Sequence, residues 1–590
     1  MIKRIIILLI LVLPAMAETL SQTQTVKGTV WDAAMNEPLP GATVLLQGAT
    51  AGTTTNLEGE FSLSNVKVGD RLRVNFIGME PVTVILTADN IRTPLQIHLQ
   101  SNISHLNEVV VTGYGTSKKR DLTGAIVSIS GDDVKNTPTN NVVASLQGKV
   151  PGLMVTNTGA AGGEPEVKIR GVGTLNASSN PLYVVDGMFC NDIKFLSNSD
   201  IQNIEVLKDP SSLAIFGVQG ANGVIIVTTK RSDSETPRVS YDGYAGFQTV
   251  WRRDRVSLTN ATQFTELYNE MLVNQNPDAA SWVPDMLGEG TDWQSKVLRE
   301  RALITNHNVS MSVNGKKSQS LLSLTYYKQD GAVKYNTYQR FNARLSQDYI
   351  FSDAVKVGGN LNVSRMDSKP ASVNIQNAVL AVPTYVPYAP ETDWNPTNPG
   401  SYYHPSADIQ NNVGNPVAQM EIHKDTEKYR DYRILGNIYA EFKFLKDFTL
   451  RATGYTDVGI YLGETYKPKY DVNNATSSSA DRNDKTSFSR KSDHAQTYQG
   501  DLLLSYKKTT KNHRIEATAG YTARKAMSTG FNAAVDSLAN GMPVVPDDLR
   551  MLSMGSPNRQ ITSDWWGEES FISYLARVSY GYQSRYLLTA

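Results

Sequence analysis

From Arg238 onward one pattern recurs: segments in which apolar and polar residues alternate with a period of two. In RVSYDGYAGFQTVW, Val239, Tyr241, Ala245, Phe247 and Trp251 share one face, while Ser240, Asp242 and Gln248 take the other. The period returns in ITNHNVSMSVNG, SLLSLTYYKQ, YQRFNARLSQDY and VKVGGNLNVSR, then in RILGNIYAEFKF, FTLRATGY, TYQGDLLLSYKK, HRIEATAGYTAR and SYLARVSYGY. Successive side chains of a strand point to opposite faces, so this is the strand period. The ten segments predict strands of 8–14 residues, about the length of a tilted membrane strand.

The links between them alternate in length. Residues 252–303 form a long link, Gly315-Lys316-Lys317-Ser318 a short one, 329–336 a moderate one and 351–353 a short one. The series continues with 367–431 long, Leu445-Lys446-Asp447 short, 459–490 long, 508–512 short, 526–567 long and 583–585 short. Short turns on one side and long loops on the other is the arrangement of an outer-membrane barrel, with the short turns in the periplasm. The long links are then extracellular. In the first of them TQFTELYNEML predicts a helix with Phe264, Leu267, Tyr268 and Met271 on one face, packed over the barrel mouth. An eleventh strand starts at Tyr586, and the sequence stops at Ala590 within it. A part-barrel leaves backbone groups unpaired in lipid. The sequence therefore reads as the front part of a longer protein, the alternative being an early stop that yields an inactive product.

The N-terminus has the form of an export signal. Lys3 and Arg4 precede the apolar run Ile5–Leu13, and Pro14-Ala15-Met16-Ala17 supplies a small-residue cleavage site before Glu18. The run is about half the ~20 residues of a spanning helix, and no other apolar run approaches that length. Lys+Arg and Asp+Glu both number 57, which argues against a nucleic-acid partner. The single cysteine, Cys190, has no internal disulfide partner and reads as a buried thiol.

After a signal peptide (1–17) and linker (18–24), residues 25–101 show short strands separated by turns, the pattern of a small antiparallel β-sandwich. Residues 119–231 are mixed. There Asp186-Gly187 is a two-residue hairpin turn, Asp209 a helix N-cap with Pro210 at the first helical position, and Gly217 a helix stop. This segment predicts a compact α+β domain, and 232–590 the barrel strands. Between sandwich and α+β domain, in 102–118, Glu108-Val109-Val110-Val111-Thr112 is a β-branched strand ended by Gly113-Tyr114 and followed by Lys118-Lys119-Arg120. An exposed strand of this kind invites pairing with another chain.

No enzyme signature stands out. The seven His are scattered, RGVGTLN has Asn176 where a dinucleotide loop needs its third Gly, and Gln147-Gly148-Lys149 lacks the upstream Gly of a phosphate loop. Nothing points to a metal or cofactor. The long loops carry aromatics instead: Tyr385, Tyr388, Trp394, Tyr402, Tyr403, Trp565 and Trp566. Aromatic faces stack on the C–H faces of sugars, and loop packing explains them equally well; loops of this length are usually functional.

VKIRGVGTLNASSNPLYVVDGM and IQNIEVLKDPSSLAIFGVQGANGVIIVTTKR resemble the plug motifs of the SusC/RagA-like TonB-dependent transporters, and NEVVVTGYGTSKKRDLTGA resembles their TonB box. Residues 25–101 resemble the carboxypeptidase-regulatory-like domain that precedes the plug in that family. Departures are small: Gln219 for a usual Arg, Pro210 for Ala, and Asn107 for Asp. The resemblance implies a mainly β protein: a sandwich, an α+β plug and the first half of a large antiparallel transmembrane barrel. It places the plug motif at Arg170, Gly171, Asp186, Gly187, Lys208, Asp209, Gly220, Asn222 and Gly223, with Arg170, Lys208 and Asp209 as candidates for ionic contacts to the wall. It assigns TonB binding to Glu108, Val109, Val110, Val111, Thr112, Gly113 and Tyr114. The implied role is TonB-dependent import across the Gram-negative outer membrane of glycan oligosaccharides or peptides. Its partners are then the periplasmic TonB complex, a SusD-like surface lipoprotein and outer-membrane lipid. A siderophore or cobalamin receptor, and a surface barrel without transport, are the alternatives.

Overall fold

A computed structural model describes residues 24–590 except 34–36, 47–51, 77–78, 100–108, 112–115, 119–125, 140, 175, 177, 233–234, 390–401, 404–408, 410–412, 473–481, 539–543, 557–560 and 584. The expected signal peptide, Glu108, Thr112, Gly113, Tyr114 and Trp394 lie outside the described residues.

The first unit holds β1 (Gln24–Asp32), β2 (Thr43–Leu46), β3 (Gly52–Thr54), β4 (Glu60–Val66), β5 (Arg71–Asn75), β6 (Val82–Ile85) and β7 (Leu95–Leu99). They form a three-stranded sheet, β4-β1-β7, and a four-stranded sheet, β3-β2-β5-β6. The alternation read in the sequence buries Val26, Val30, Val44, Phe61, Leu63, Val74 and Leu99 in one core. β1 and β7 run parallel, a departure from an all-antiparallel sandwich. Beyond it, β8 (Val109–Val111) and β9 (Thr116–Lys118) make a two-stranded sheet.

In the second unit, β10 (Ile126–Ser130), β11 (Leu153–Thr156), β12 (Glu166–Ile169), β13 (Leu182–Val185), β14 (Met188–Cys190), β15 (Ile201–Leu207) and β16 (Val224–Thr229) form the α+β segment. Its central sheet has the order β10-β15-β16-β13-β14, with β11 and β12 paired separately. Asp186 (φ 48°) and Gly187 (φ 99°) close the β13–β14 hairpin in left-handed backbone. The Asp209 carboxylate caps the short helix Pro210–Leu213 by accepting from the Ser212 N–H, and Gly217 at φ 59° breaks the helical path that follows.

An eleven-stranded sheet follows. Its strands are β17 (Arg238–Gln248), β18 (Ala302–Asn314), β19 (Ser318–Asp330), β20 (Thr337–Ile350), β21 (Val355–Lys369), β22 (Glu427–Phe444) and β23 (Phe448–Lys467). After the small pair β24 (Tyr470–Asp471) and β25 (Arg482–Asn483) come β26 (Ser487–Thr509), β27 (His513–Asp536), β28 (Ile561–Tyr582) and β29 (Tyr586–Thr589). Each large strand pairs antiparallel with the next in sequence.

Two expectations are corrected here. The later strands are much longer than 8–14 residues: β26 has 23, β27 24 and β28 22. At ~3.4 Å per residue, 24 residues span roughly 80 Å, and even at ~45° tilt this exceeds a ~30 Å hydrocarbon layer. In a membrane both faces of such a strand would meet water beyond the layer, where the ladder needs no apolar alternation. Much of the expected link 526–567 is therefore strand. The helix Ala261–Gln275 forms with an Asn260/Gln263 capping box. Phe264 and Tyr268 pack on Trp282, whereas Leu267 and Met271 are exposed.

The sheet has its polarity inside out. On β20, Phe341 and Leu345 are exposed, while Arg340 and Arg344 are each 2% exposed and Asn342, Ser346 and Asp348 are buried. The same division holds on β19, with Leu322 and Leu324 out and Ser323 and Thr325 in, and Ile438 on β22 is 67% exposed. The polar face is covered by the α+β segment, whose core takes in Ile304, Tyr327, Tyr338, Met366, Leu435 and Tyr455 from the wall. No helix among the described residues is long and apolar enough to cross a membrane, which says nothing of strands. An outward apolar face predicts a sharp penalty for charge: Leu345→Arg is expected to destabilise the bilayer-inserted protein by about 2–4 kcal/mol. Ser346→Thr, on the opposite face, should cost much less in the same denaturant titration in lipid vesicles.

Candidate functional site: the seam between plug and wall

The polar face is a wall of donors and carboxylates, and the segment packed on it meets it with the same chemistry. Just past β16, Arg231 Nη1 donates to both Asp348 carboxylate oxygens at 2.8 and 2.7 Å. Lys356 reaches the same carboxylate at 2.9 Å and the Tyr439 hydroxyl donates to it at 2.7 Å, so a nearly buried acid has three donors. Arg344 Nη2 donates to Thr229 Oγ1 at 2.5 Å and to the Lys230 carbonyl at 2.6 Å. Asn360 donates to Asp186 Oδ2 at 3.2 Å, and that carboxylate also accepts the Thr229 hydroxyl at 2.6 Å.

A second patch centres on Arg433. Its guanidinium donates to Asp457 at 2.8 and 2.6 Å and to Asp192 Oδ1 at 2.8 Å, and lies 4.3 Å over the Phe195 ring. Lys194 sits 3.1 Å from Asp431 and 3.9 Å from Glu164, and its carbonyl accepts from Arg340 at 2.5 Å. Burial alone would lower the Lys194 pKa; Asp192, Asp431 and Glu164 outweigh it and hold the ammonium above its ordinary value. Lys135 pairs with Asp242. Gln499 donates to the Gly187 carbonyl at 3.1 Å. A Cβ on Gly162 would strike the Tyr338 ring, and one on Gly187 the Tyr455 hydroxyl, so both loops approach the wall as closely as they do only with glycine. Cys190 is buried beside this patch, and burial pushes its thiol up to about 12.

The residues expected to bridge plug and wall do otherwise. Lys208 Nζ donates to the Pro151 carbonyl at 2.8 Å, within the plug, and Asp209 spends its carboxylate on Ser211 and Ser212. Arg170 is exposed at φ 58° beside Gly171 at φ 93°, with no ion pair among the described residues. The bridging cations are Lys135, Lys194, Arg231, Arg340, Arg344 and Arg433 instead. The visible signal was the polar parity of YQRFNARLSQDY: every second residue from Arg340 to Asp348 is polar. The remaining motif positions serve the plug itself. Asn222 donates to the Ser178 carbonyl at 2.7 Å. A Cβ on Gly220 would press on Phe216 and Val224, and one on Gly223, at φ 96°, on Ile169.

The strand Val109–Val111, read as open to pairing with another chain, pairs with β9 across a four-residue link. A local hairpin is the nearest source of backbone partners, and the other edge of β8 has no strand on it among the described residues. Of the loop aromatics, Tyr385 and Tyr402 are buried in a cluster with Trp293, Val382, Val417 and Met420. Tyr385 stacks on Tyr403 at 5.5 Å, and Tyr402 on the half-exposed Tyr388 at 5.7 Å. Trp565 and Trp566 are not in a loop: they lie in β28, opposite Gly530 and Thr529. Trp565 has the parity of Phe571, which stacks on plug residue Phe189 at 6.3 Å; Trp566 is on the other face.

Comparison with known proteins matches residues 26–111 to the CarboxypepD_reg-like domain and 118–224 to the TonB-dependent receptor plug domain. The chain is 30% identical over 587 residues to TonB-dependent receptor P26 of Formosa agariphila, an alignment covering 96% of this chain and 55% of that protein. It is 32% identical over 467 residues to TonB-dependent receptor SusC of Bacteroides thetaiotaomicron, covering 74% and 44%. Among solved structures, the RagAB peptide importer in its open-open state shares the fold, with a TM-score of 0.66 at 20% identity over 81% of this chain and 55% of that one. The chain spans about half the length of the curated relatives it matches.

Removing Arg433 leaves Asp192 and Asp457 without their shared cation. Arg433→Ala should cost plug seating about 3–5 kcal/mol, read as faster hydrogen exchange of amides 188–196. Unchanged protection there would contradict the seam.

Proposed function

We propose, from the premise that this chain is a homologue of the SusC-type TonB-dependent receptors over most of its length, that it imports a nutrient across the Gram-negative outer membrane. The observation that carries this reading is the plug seated on the polar face of an antiparallel sheet whose other face is apolar and exposed. A sheet of that polarity suits lipid outside and an aqueous lumen inside. Its two edge strands are β17 and β29, and a strand edge in a membrane needs a backbone partner. The substrate is a glycan oligosaccharide or a peptide, delivered at the long-link side by a SusD-like surface lipoprotein.

The energy comes from TonB, which adds a strand to residues Glu108–Thr112, with Gly113 and Tyr114 ending the contact. Strand addition suits a generic coupling because backbone hydrogen bonds supply the affinity. At roughly 0.5–1.5 kcal/mol net per bond, four or five bonds hold reversibly. The seam suits the same cycle. Arg231 is 31% and Lys194 33% exposed at the side chain. Arg231's partner Asp348 is nearly buried, and it keeps Lys356 and the Tyr439 hydroxyl of the wall when Arg231 leaves. Pulling then releases the plug stepwise, with Arg433 as the strongest hold. Tyr385, Tyr402 and Tyr403 shape the loop cluster, and Tyr388, Trp394 and Trp565 are offered to the substrate.

Deleting residues 108–114 should leave substrate binding within about twofold of normal and abolish energised uptake. Binding to cells and accumulation in cells are measured separately. Normal accumulation in the deletion strain would refute the coupling role.

A further inference from the structure

The outer face of the wall changes chemistry in steps of two residues towards the long-link end. One row across β19 to β22, Leu324, Ala343, Val363 and Ile434, is apolar. The next is Tyr326, Phe341, Arg365 and Tyr432, with Tyr326 and Phe341 rings 4.8 Å apart and Arg365 6.0 Å over Tyr432. The third is Lys328, Gln339, Asp367 and Arg430. Aromatic rings in a belt mark the lipid–water boundary of such barrels, so the third row lies at headgroup depth.

A cleft of about 460 Å³ opens there, in the middle of the sheet and away from both edges. Five cations line it: Lys328, Arg365, Lys369, Lys428 and Arg430, against two acids, Asp367 and Glu464. Asp367 accepts from Arg365 Nε at 2.8 Å and Arg430 Nε at 2.7 Å, which fixes both guanidinium planes at the cleft and leaves further N–H donors on each. Lys369 and Lys428 pair with exposed Asp425 and Asp547 at 2.7 and 2.8 Å, contacts that exchange easily. Lys328 has no ion pair among the described residues.

We propose that this cleft binds the phosphate of a lipid headgroup in the leaflet on the long-link side. The acyl chains lie down over the aromatic and apolar rows. Arginine forks match phosphate oxygens bidentately, and lysines add point charge. A soluble protein partner would have no use for the apolar rows that continue directly beneath the cations. The assignment rests on the membrane-barrel reading above.

The test uses the full-length protein in uncharged maltoside micelles, with bound lipid counted by native mass spectrometry. The probes are phosphorylated lipid A, the same lipid with its phosphates removed, and inorganic phosphate. The unaltered protein should retain the phosphorylated lipid at least about tenfold more tightly than the dephosphorylated one. Lys328→Ala/Arg365→Gln/Arg430→Gln should lose that preference. Lys316→Ala/Lys317→Ala/Lys446→Ala, which removes as many charges at the short-turn end, should keep it. Equal retention of the two lipids by the unaltered protein overturns the site without recourse to any variant. Equal loss in the control variant, or inorganic phosphate binding as tightly as the lipid, overturns it too. Failure to insert into vesicles at all would instead strike the barrel reading, and that is scored separately by the shifted gel mobility of the unheated protein.

Discussion

Backbone pairing in a medium without water is the constraint on which the rest of the structure depends. A strand in hydrocarbon cannot leave its N–H and C=O groups to solvent, and each of the large strands β18 to β23, β26 and β27 is laddered to both neighbours along most of its length. With the backbone satisfied, side chains divide by face: Phe341 and Leu345 outward, Arg340 and Arg344 inward. Whatever fills the inside must then answer a polar wall. The plug does so with Arg231, Asp186, Asp192 and Lys194, while its own centre is built from Ile204, Val206, Ile225 and Val227.

That division explains what could be read from the residues. Strand period, the order of short and long links, the Asp186-Gly187 turn and the Asp209 cap are local signals, and the structure carries each of them. Length was misread where strands lose their alternation: SDHAQ in β26 and the SDWWGEES run of β28 have no apolar face to announce them, yet the ladder holds them. The plug contacts were misread for a different reason. Lys208 and Asp209 sit in a conspicuous motif, but a motif charge is satisfied by its nearest donors and carbonyls, here Ser212 and Pro151. Partners such as Arg433 and Asp192 lie 241 residues apart and become neighbours only through the sheet. The aromatics divide the same way: Tyr402, open in the sequence between ligand contact and loop packing, is loop core.

The seam combines two strengths of attachment. The Arg231 and Lys194 side chains keep access to water. Buried Asp348 retains Lys356 and Tyr439 of the wall when Arg231 leaves, so these contacts separate at less cost than a buried charge stripped of every partner. Arg433 is nearly enclosed and serves carboxylates of both plug and wall, so it separates only with a large penalty. On the proposed function, a plug held in this way would stay seated under thermal motion and yield to a directed pull. Apolar packing adds to this hold where Ile304, Tyr327, Met366 and Leu435 of the wall join the plug core.

Everything above rests on which face of the sheet meets lipid. Spin labels placed singly along 341–346 of β20, in the protein reconstituted into bilayers, report this through their accessibility to dissolved oxygen. Accessibility is expected to peak at 341, 343 and 345 and to fall at 342, 344 and 346. Peaks at the even positions, or no alternation, would contradict the account.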